Sequence, residues 1–166
     1  MWRQIAKHFN KYPKQRKLAK KLLEYGLKIQ NKKIYCVDIE LSNSKISRAF
    51  DIDRRIINST IQTILENEEL SKVFTQLKPT CHLKDVASNM NWGVIEIIPE
   101  DPTIPGIISD VAKIVADSNL SIRQAIVDDF ELSEEPRLFI VTERPVPGIL
   151  IPKIRKVKGV KAVLIY

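Results

Sequence analysis

The final 75 residues, 92–166, restrict the fold of this chain most tightly. Their apolar residues recur with a period near two, then near 3.6, then near two again, and the cycle runs twice. The pattern predicts strands at Gly93–Ile98, Ser121–Val127, Arg137–Thr142 and Val160–Ile165, with helices at Ile107–Asp117 and Gly148–Val157. The first helix places Ile107, Ile108, Val111, Ile114 and Val115 on one side, and the second places Leu150, Ile154 and Val157. Gly159 ends the second helix, and Asp128–Pro136 reads as a turn. Two β-α-β halves in this order describe a split βαβ, ferredoxin-like βαββαβ sandwich. It has one antiparallel sheet with both helices on one face.

The charge is as uneven as the pattern. Residues 1–33 hold 11 Lys and Arg against one acid, a balance of +10, although the whole chain carries +7. Residues 34–91 hold 7 basic and 8 acidic side chains, and residues 92–166 hold 9 and 11. A basic arm of this kind suits a polyanionic partner, either nucleic acid or a membrane surface; a solvated face has the same composition. Within it, Trp2, Ile5, Ala6 and Phe9 follow helical spacing. A second helix is expected over Lys14–Leu27, with Leu18, Leu22 and Tyr25 inward and Lys17, Lys20 and Lys21 among its outward cations. Its apolar stripe is narrow, which fits packing on a domain better than lying on a membrane.

Ile34–Leu41 reads as one short strand, rich in β-branched residues. Next comes a short helix Lys45–Phe50 capped by Ser44, then Asp51-Ile52-Asp53, then a longer helix Arg54–Glu66 capped by Asp53. Ile46, Ala49 and Phe50 are expected to face inward from the first helix, with Ala49 allowing close helix contact. Ile57, Ile61, Ile64 and Leu65 form the buried stripe of the second. This is the layout of a helix-turn-helix. The outward residues Arg54, Arg55, Asn58, Ser59 and Gln62, with Lys45 and Arg48, are types that reach bases and phosphates. A helical hairpin with a polar surface has the same pattern. The basic arm just upstream favours double-stranded DNA as the partner. Pairing of Val73–Leu77 with Cys81–Val86 across Lys78-Pro79-Thr80 would make the domain a winged one. The expected domains are 1–88, DNA-binding with a basic arm, and 92–166.

Catalysis and metal binding find no support. His8 and His82 are the only histidines, and neither metalloprotease, P-loop nor dinucleotide motifs occur. Cys36 and Cys81 lack the paired spacing of a metal site and read as reduced thiols. No apolar run approaches the roughly 20 residues that span a bilayer. The N-terminus lacks the apolar core of a secretory signal, so a cytoplasmic location is expected. No enzyme activity, metal or cofactor is expected.

The strand GVIEII, the loop with Pro105-Gly106, the helix IISDVAKIVADSNLSI and the closing IPKIRKVKGVKAVLIY resemble the ACT domain, a small-ligand-binding regulatory module. The whole chain resembles archaeal predicted regulators of amino-acid metabolism, which carry a helix-turn-helix half and an ACT half. KISRAFDIDRRIINSTIQTIL and IRQAIVDDFELSEEPRLFIVTERPVPG carry that resemblance most specifically. It implies a homodimer whose ACT halves pair side by side, with an amino-acid effector at their interface. The residues it points to are Pro105, Gly106, Ile107 and Ile108, then Asn119, Leu120, Ser121 and Ile122. Backbone N–H groups at a helix start can hold a carboxylate, and Asp110 or Asn119 can meet an ammonium. Ile107 and Leu120 would shape the side-chain pocket. Pro99 and Pro102 precede Pro105, so this loop is longer and stiffer than the short acid-x-Pro-Gly approach of many ACT loops. Two alternatives share these features: an ACT-domain regulatory subunit that docks on a metabolic enzyme, and a dimeric DNA-binding protein without a ligand.

Overall fold

The computed structural model describes every residue, Met1–Tyr166, and the chain divides into two compact units, Met1–Thr80 and Cys81–Tyr166. The boundary falls earlier than the domain limits of 88 and 92 read from sequence. Residues 81–90, read from sequence as a wing strand running into the domain boundary, pack on the sheet of the second unit.

In the first unit, α1 (Trp2–Lys7) leads to α2 (Pro13–Glu24). Pro13 sits at the first turn of α2, where its missing N–H costs nothing. Gly26, at φ +62°, closes the helix as the Leu27 N–H reaches the Leu22 carbonyl at 2.8 Å. The helix therefore ends before the predicted Leu27. Tyr25 faces outward, its ring 5.5 Å from that of Phe50. Phe9, Leu18, Leu22, Ile57, Ile64, Leu70 and Phe74 are fully buried.

The expected strand Ile34–Leu41 is instead a hairpin. Strands β1 (Lys28–Gln30), β2 (Lys33–Cys36) and β3 (Ile39–Leu41) form an antiparallel sheet in that order. Asn31 and Lys32, both at positive φ, make the first two-residue turn, and Val37 and Asp38 make the second. Val37, at φ +54°, is β-branched and left-handed, a combination no sequence rule announces.

Helices α3 (Asn43–Phe50) and α4 (Arg54–Glu66) form the helix-turn-helix. Ser42, not Ser44, caps α3 by accepting the Lys45 N–H, and Asp53 caps α4 by accepting the Arg55 N–H at 2.7 Å. Ile46 and Ile52 are buried, but Ala49 is exposed rather than inward. No wing follows α4. Asn67 starts α5 (Glu68–Phe74), which contains Val73, and no strand forms between Thr75 and Leu83. The three strands stand ahead of the helix pair.

The second unit holds α6 (Lys84–Ala87), a 3-10 turn at Ser88–Met90, β4 (Gly93–Pro99), α7 (Ile107–Asp117), β5 (Ile122–Val127), β6 (Leu138–Thr142), α8 (Leu150–Arg155) and β7 (Val160–Ile165). The strands are antiparallel in the order β5-β6-β4-β7, the ferredoxin-like arrangement. Ile95 and Ile97 of β4 and Leu138 and Ile140 of β6 share a core with Val111 and Val115 of α7 and Leu150 and Ile154 of α8. On the other sheet face, Val94 and Val141 meet Ala87, Leu83 and Trp92. The sheet is thus covered on both sides, by α7 and α8 and by the segment 81–92.

Candidate functional site

On the helix-turn-helix, Lys45 and Arg48 of α3 and Arg54, Arg55, Asn58 and Gln62 of α4 are exposed. Asn58 accepts a bond from Asn43 at 2.8 Å, and Gln62 donates to Glu66 at 2.8 Å, so both side chains are oriented by neighbours. Ser59 is different. It is half-buried toward α2, where it accepts from the buried Gln15 at 3.1 Å, while Thr63 donates to the same amide at 3.3 Å. Ser59 therefore fixes α4 on α2 rather than presenting a hydroxyl to a partner. On α2, Lys17 is exposed without an ion pair, whereas Lys20 and Lys21 both face Glu24, at 3.8 and 2.8 Å. That hydrogen bond to Glu24 outweighs partial burial and raises the Lys21 pKa.

In the second unit, a cavity of about 170 Å³ opens beside the start of α7. Ile97, Pro99, Pro102, Ile104, Pro105, Ile107, Ile108, Val127 and Leu138 line it with apolar surface, and Asp128 is its carboxylate. Asp101 organises the loop by accepting the backbone N–H and hydroxyl of Thr103, bonds that hold its carboxyl below the usual range. Gly106 caps α7 at φ +98° with no side-chain bond, and a Cβ added there would meet nothing within 4 Å. The glycine is needed for its backbone angle, not for close approach.

Pro105, Gly106, Ile107 and Ile108 therefore lie together at the cavity. Asn119, Leu120, Ser121 and Ile122 lie at the other end of α7 and at the far end of β5, where Ile122 pairs with Thr142. Within one chain the two sets do not converge. Leu120 is buried in the core beneath α7, and the Asn119 carbonyl accepts from Arg144 at 2.7 Å. Asp110 is exposed next to the helix start and does not line the cavity.

The second sheet face holds a polar group that pattern reading passes over. Glu96, inside the apolar run of β4, is fully buried. Lys84 donates to it at 2.8 Å, Tyr166 at 3.0 Å, and Arg137 on the other oxygen. Burial alone would push its carboxyl up; the bonds from Lys84, Arg137 and Tyr166 outweigh that and leave it below the ordinary value. Lys84 also lies over the rings of Phe139 and Tyr166 at 4.7 and 5.2 Å. Gln124 completes the clamp, donating to the Cys81 carbonyl at 2.7 Å and accepting the Leu83 N–H at 2.9 Å. The signal in the sequence is an acid at the centre of GVIEIIP, which needs partners if the strand is buried.

No protein-family model and no curated protein matches the chain. Among solved structures, it is similar to the ACT domain of a GTP pyrophosphokinase from Chlorobium tepidum, at 19% identity and TM-score 0.35, over 45% of this chain and 96% of that one. It is also similar to AsnC of E. coli, at 11% identity and TM-score 0.26, over 93% and 89% of the two chains. A transcriptional regulatory protein of the AsnC family from Pyrococcus furiosus matches at 13% identity and TM-score 0.24, over 76% and 77%. Likeness at this level carries no functional argument. The fold stands on its own elements: a helix-turn-helix half and a ferredoxin-like half in one α+β chain. None of its helices is long and apolar enough to cross a membrane.

Proposed function

We propose that this protein is a DNA-binding transcriptional regulator of amino-acid metabolism, working as a homodimer joined through its ACT-type half and tuned by a small amino acid. The observation that carries the DNA reading is α4, a capped helix with Arg54, Arg55, Asn58 and Gln62 exposed along one side. Arginine pairs bidentately with guanine and Asn or Gln with adenine, and a helix of this size fits the major groove. The +10 balance of residues 1–33 supplies the phosphate-seeking charge.

Strand β5 supports the dimer, because it is an edge of the sheet and its outer ladder groups have no partner. Antiparallel self-pairing centred on Ile122–Val127 sets Ile122 against the partner's Val127. Val127 lines the cavity. The second group of ligand residues, remote within one chain, is thereby brought to the first across a two-fold axis. At about 170 Å³ the cavity of one chain is smaller than the roughly 300–1,000 Å³ of ordinary ligand pockets, as a half-site should be.

Binding of the full chain to duplex DNA, measured against salt, tests the core of the proposal. Wild type should bind with an affinity that falls steeply with salt, and Arg54→Ala with Arg55→Ala should lose sequence preference and at least tenfold in affinity. Unchanged binding by that variant would remove α4 as the reading helix. Calorimetry with the common amino acids tests the effector. Heat with at least one, lost in a variant that fills the cavity such as Ile108→Trp, is the expected result.

A further inference from the structure

The near-neutral balance of residues 92–166 conceals a strong separation of charge. Residues 92–143 hold 3 basic and 11 acidic side chains, a balance of −8, whereas 144–166 hold 6 basic and none acidic, a balance of +6. Five of those six cations, Lys153, Arg155, Lys156, Lys158 and Lys161, fall within nine residues, on the end of α8, the following turn and the start of β7. All five are exposed, and none has an ion pair or hydrogen bond from its side chain. The plain explanation is a helix C-terminus that favours cations. It covers Lys153 and Arg155 in the last turn of α8, and not Lys156, Lys158 or Lys161 beyond it.

Most of the acids lie elsewhere on the same unit, but Glu100 donates its backbone N–H to the Gly159 carbonyl at 2.8 Å, and with Glu134 and Glu135 it borders a hollow shared with Lys161. Asp128, Asp129, Glu134 and Glu135 are in the loop that joins β5 to β6, and β5 and β7 are the two opposite edges of the sheet. Within that hollow Lys161 is the one cation of the corner; Lys153, Arg155, Lys156 and Lys158 lie outside it. Unpaired, flexible lysines around a short turn suit phosphate oxygens, which they approach as point charges without needing fixed geometry.

We infer that the α8–β7 corner of the ferredoxin-like half is a second DNA-contacting surface, seating on the phosphate backbone through Lys153, Arg155, Lys156, Lys158 and Lys161. The inference rests on the DNA-binding reading above and adds a sequence-independent contact to it. A second copy of this chain, offering the acids of its β5–β6 loop, is the competing occupant of the same surface.

The test compares four full-length proteins on a random-sequence duplex by fluorescence anisotropy from low to high salt. They are wild type, Lys153→Gln/Lys156→Gln/Lys158→Gln, Lys113→Gln as a control on α7, and Arg54→Ala/Arg55→Ala. Removing one lysine–phosphate pairing should lower the slope of log affinity against log salt by about 0.9. The triple variant should therefore lose about two to three in slope, Lys113→Gln should lose none, and Arg54→Ala/Arg55→Ala should retain the corner's share. A wild-type slope in the triple variant, with the Arg54→Ala/Arg55→Ala protein impaired, overturns the corner alone. No binding by wild type overturns both readings. A triple variant that keeps its slope but sediments as a smaller species without DNA assigns the corner to self-association instead.

Discussion

The Lys84 ammonium lies 2.8 Å from the carboxylate of Glu96, a residue with no exposed surface at the middle of a central strand. That contact ties α6 to β4 and holds residues 81–92 on the sheet face away from α7 and α8.

Breaking it should be costly but not ruinous. Lys84→Met leaves Arg137 and Tyr166 on the carboxylate, so the loss should be about 1–3 kcal/mol, below that of a buried charge stripped of every partner. Urea unfolding of the second unit, followed through Trp92, measures it.

The same cluster gives a pH signature. The folded-state pKa of Glu96 is lowered from 4.5, so its contribution is fully present above about that pH and is lost as pH falls through the lower folded value. Glu96→Gln should flatten the acid limb of a stability-against-pH curve below about pH 4.5. An unchanged limb would mean that other carboxylates set it.

Two glycines at positive φ should respond unequally to alanine. Gly106, at +98°, has open space where a Cβ would go, so only the backbone angle is strained, at about 1–2 kcal/mol. At Gly26, at +62°, a Cβ would lie 2.5 Å from the Lys78 carbonyl oxygen, so the same strain is joined by a backbone collision. Gly26→Ala should lower the melting temperature of its unit by clearly more than Gly106→Ala lowers that of the other.

Gln15 reaches from α2 to two hydroxyls of α4. Ser59 and Thr63 also donate to the carbonyls of Ile56 and Ser59, so Gln15→Leu strands no donor and should cost only about 1 kcal/mol. Faster hydrogen exchange along α4, with the fold retained, is the expected observation.

A charge on the β5 edge should block assembly. Val127 is 58% exposed, and self-pairing would place two copies of Val127→Asp beside hydrophobic surface at the interface. Sedimentation should show wild type as a dimer and the variant as a monomer with unchanged circular dichroism.

Much of this architecture was legible in the sequence, for identifiable reasons. Helix Ile107–Asp117 and strand Val160–Ile165 match their predicted limits because Gly106 and Gly159 mark turns that few other residues can make. Helix Arg54–Glu66 matches because Asp53 announces it. The β2–β3 hairpin was hidden because Val37 sits where glycine or asparagine would ordinarily signal a turn. The first hairpin turn was hidden in a run of cations, where Asn31 was the one clue. Residues 81–86 read as a wing strand of the first domain because the segment's true attachments are Lys84 to Glu96 and Gln124 to backbone, pairings no local pattern encodes. At the cavity, Pro105–Ile108 could be found from a strand-to-helix junction. Leu120 could not be told from a lining residue, since apolar side chains that floor a core and those that line a pocket read alike.

The covering of both sheet faces has a geometric consequence. With α7 and α8 on one side of the central strands and residues 81–92 on the other, neither sheet face is free to pack on a second sheet. What the sheet itself still offers are its rims, the unpaired outer ladders of β5 and β7, and an assembly built through them extends the sheet in its own plane. Joining like rims and joining unlike rims are two distinct architectures, a closed pair and an open row.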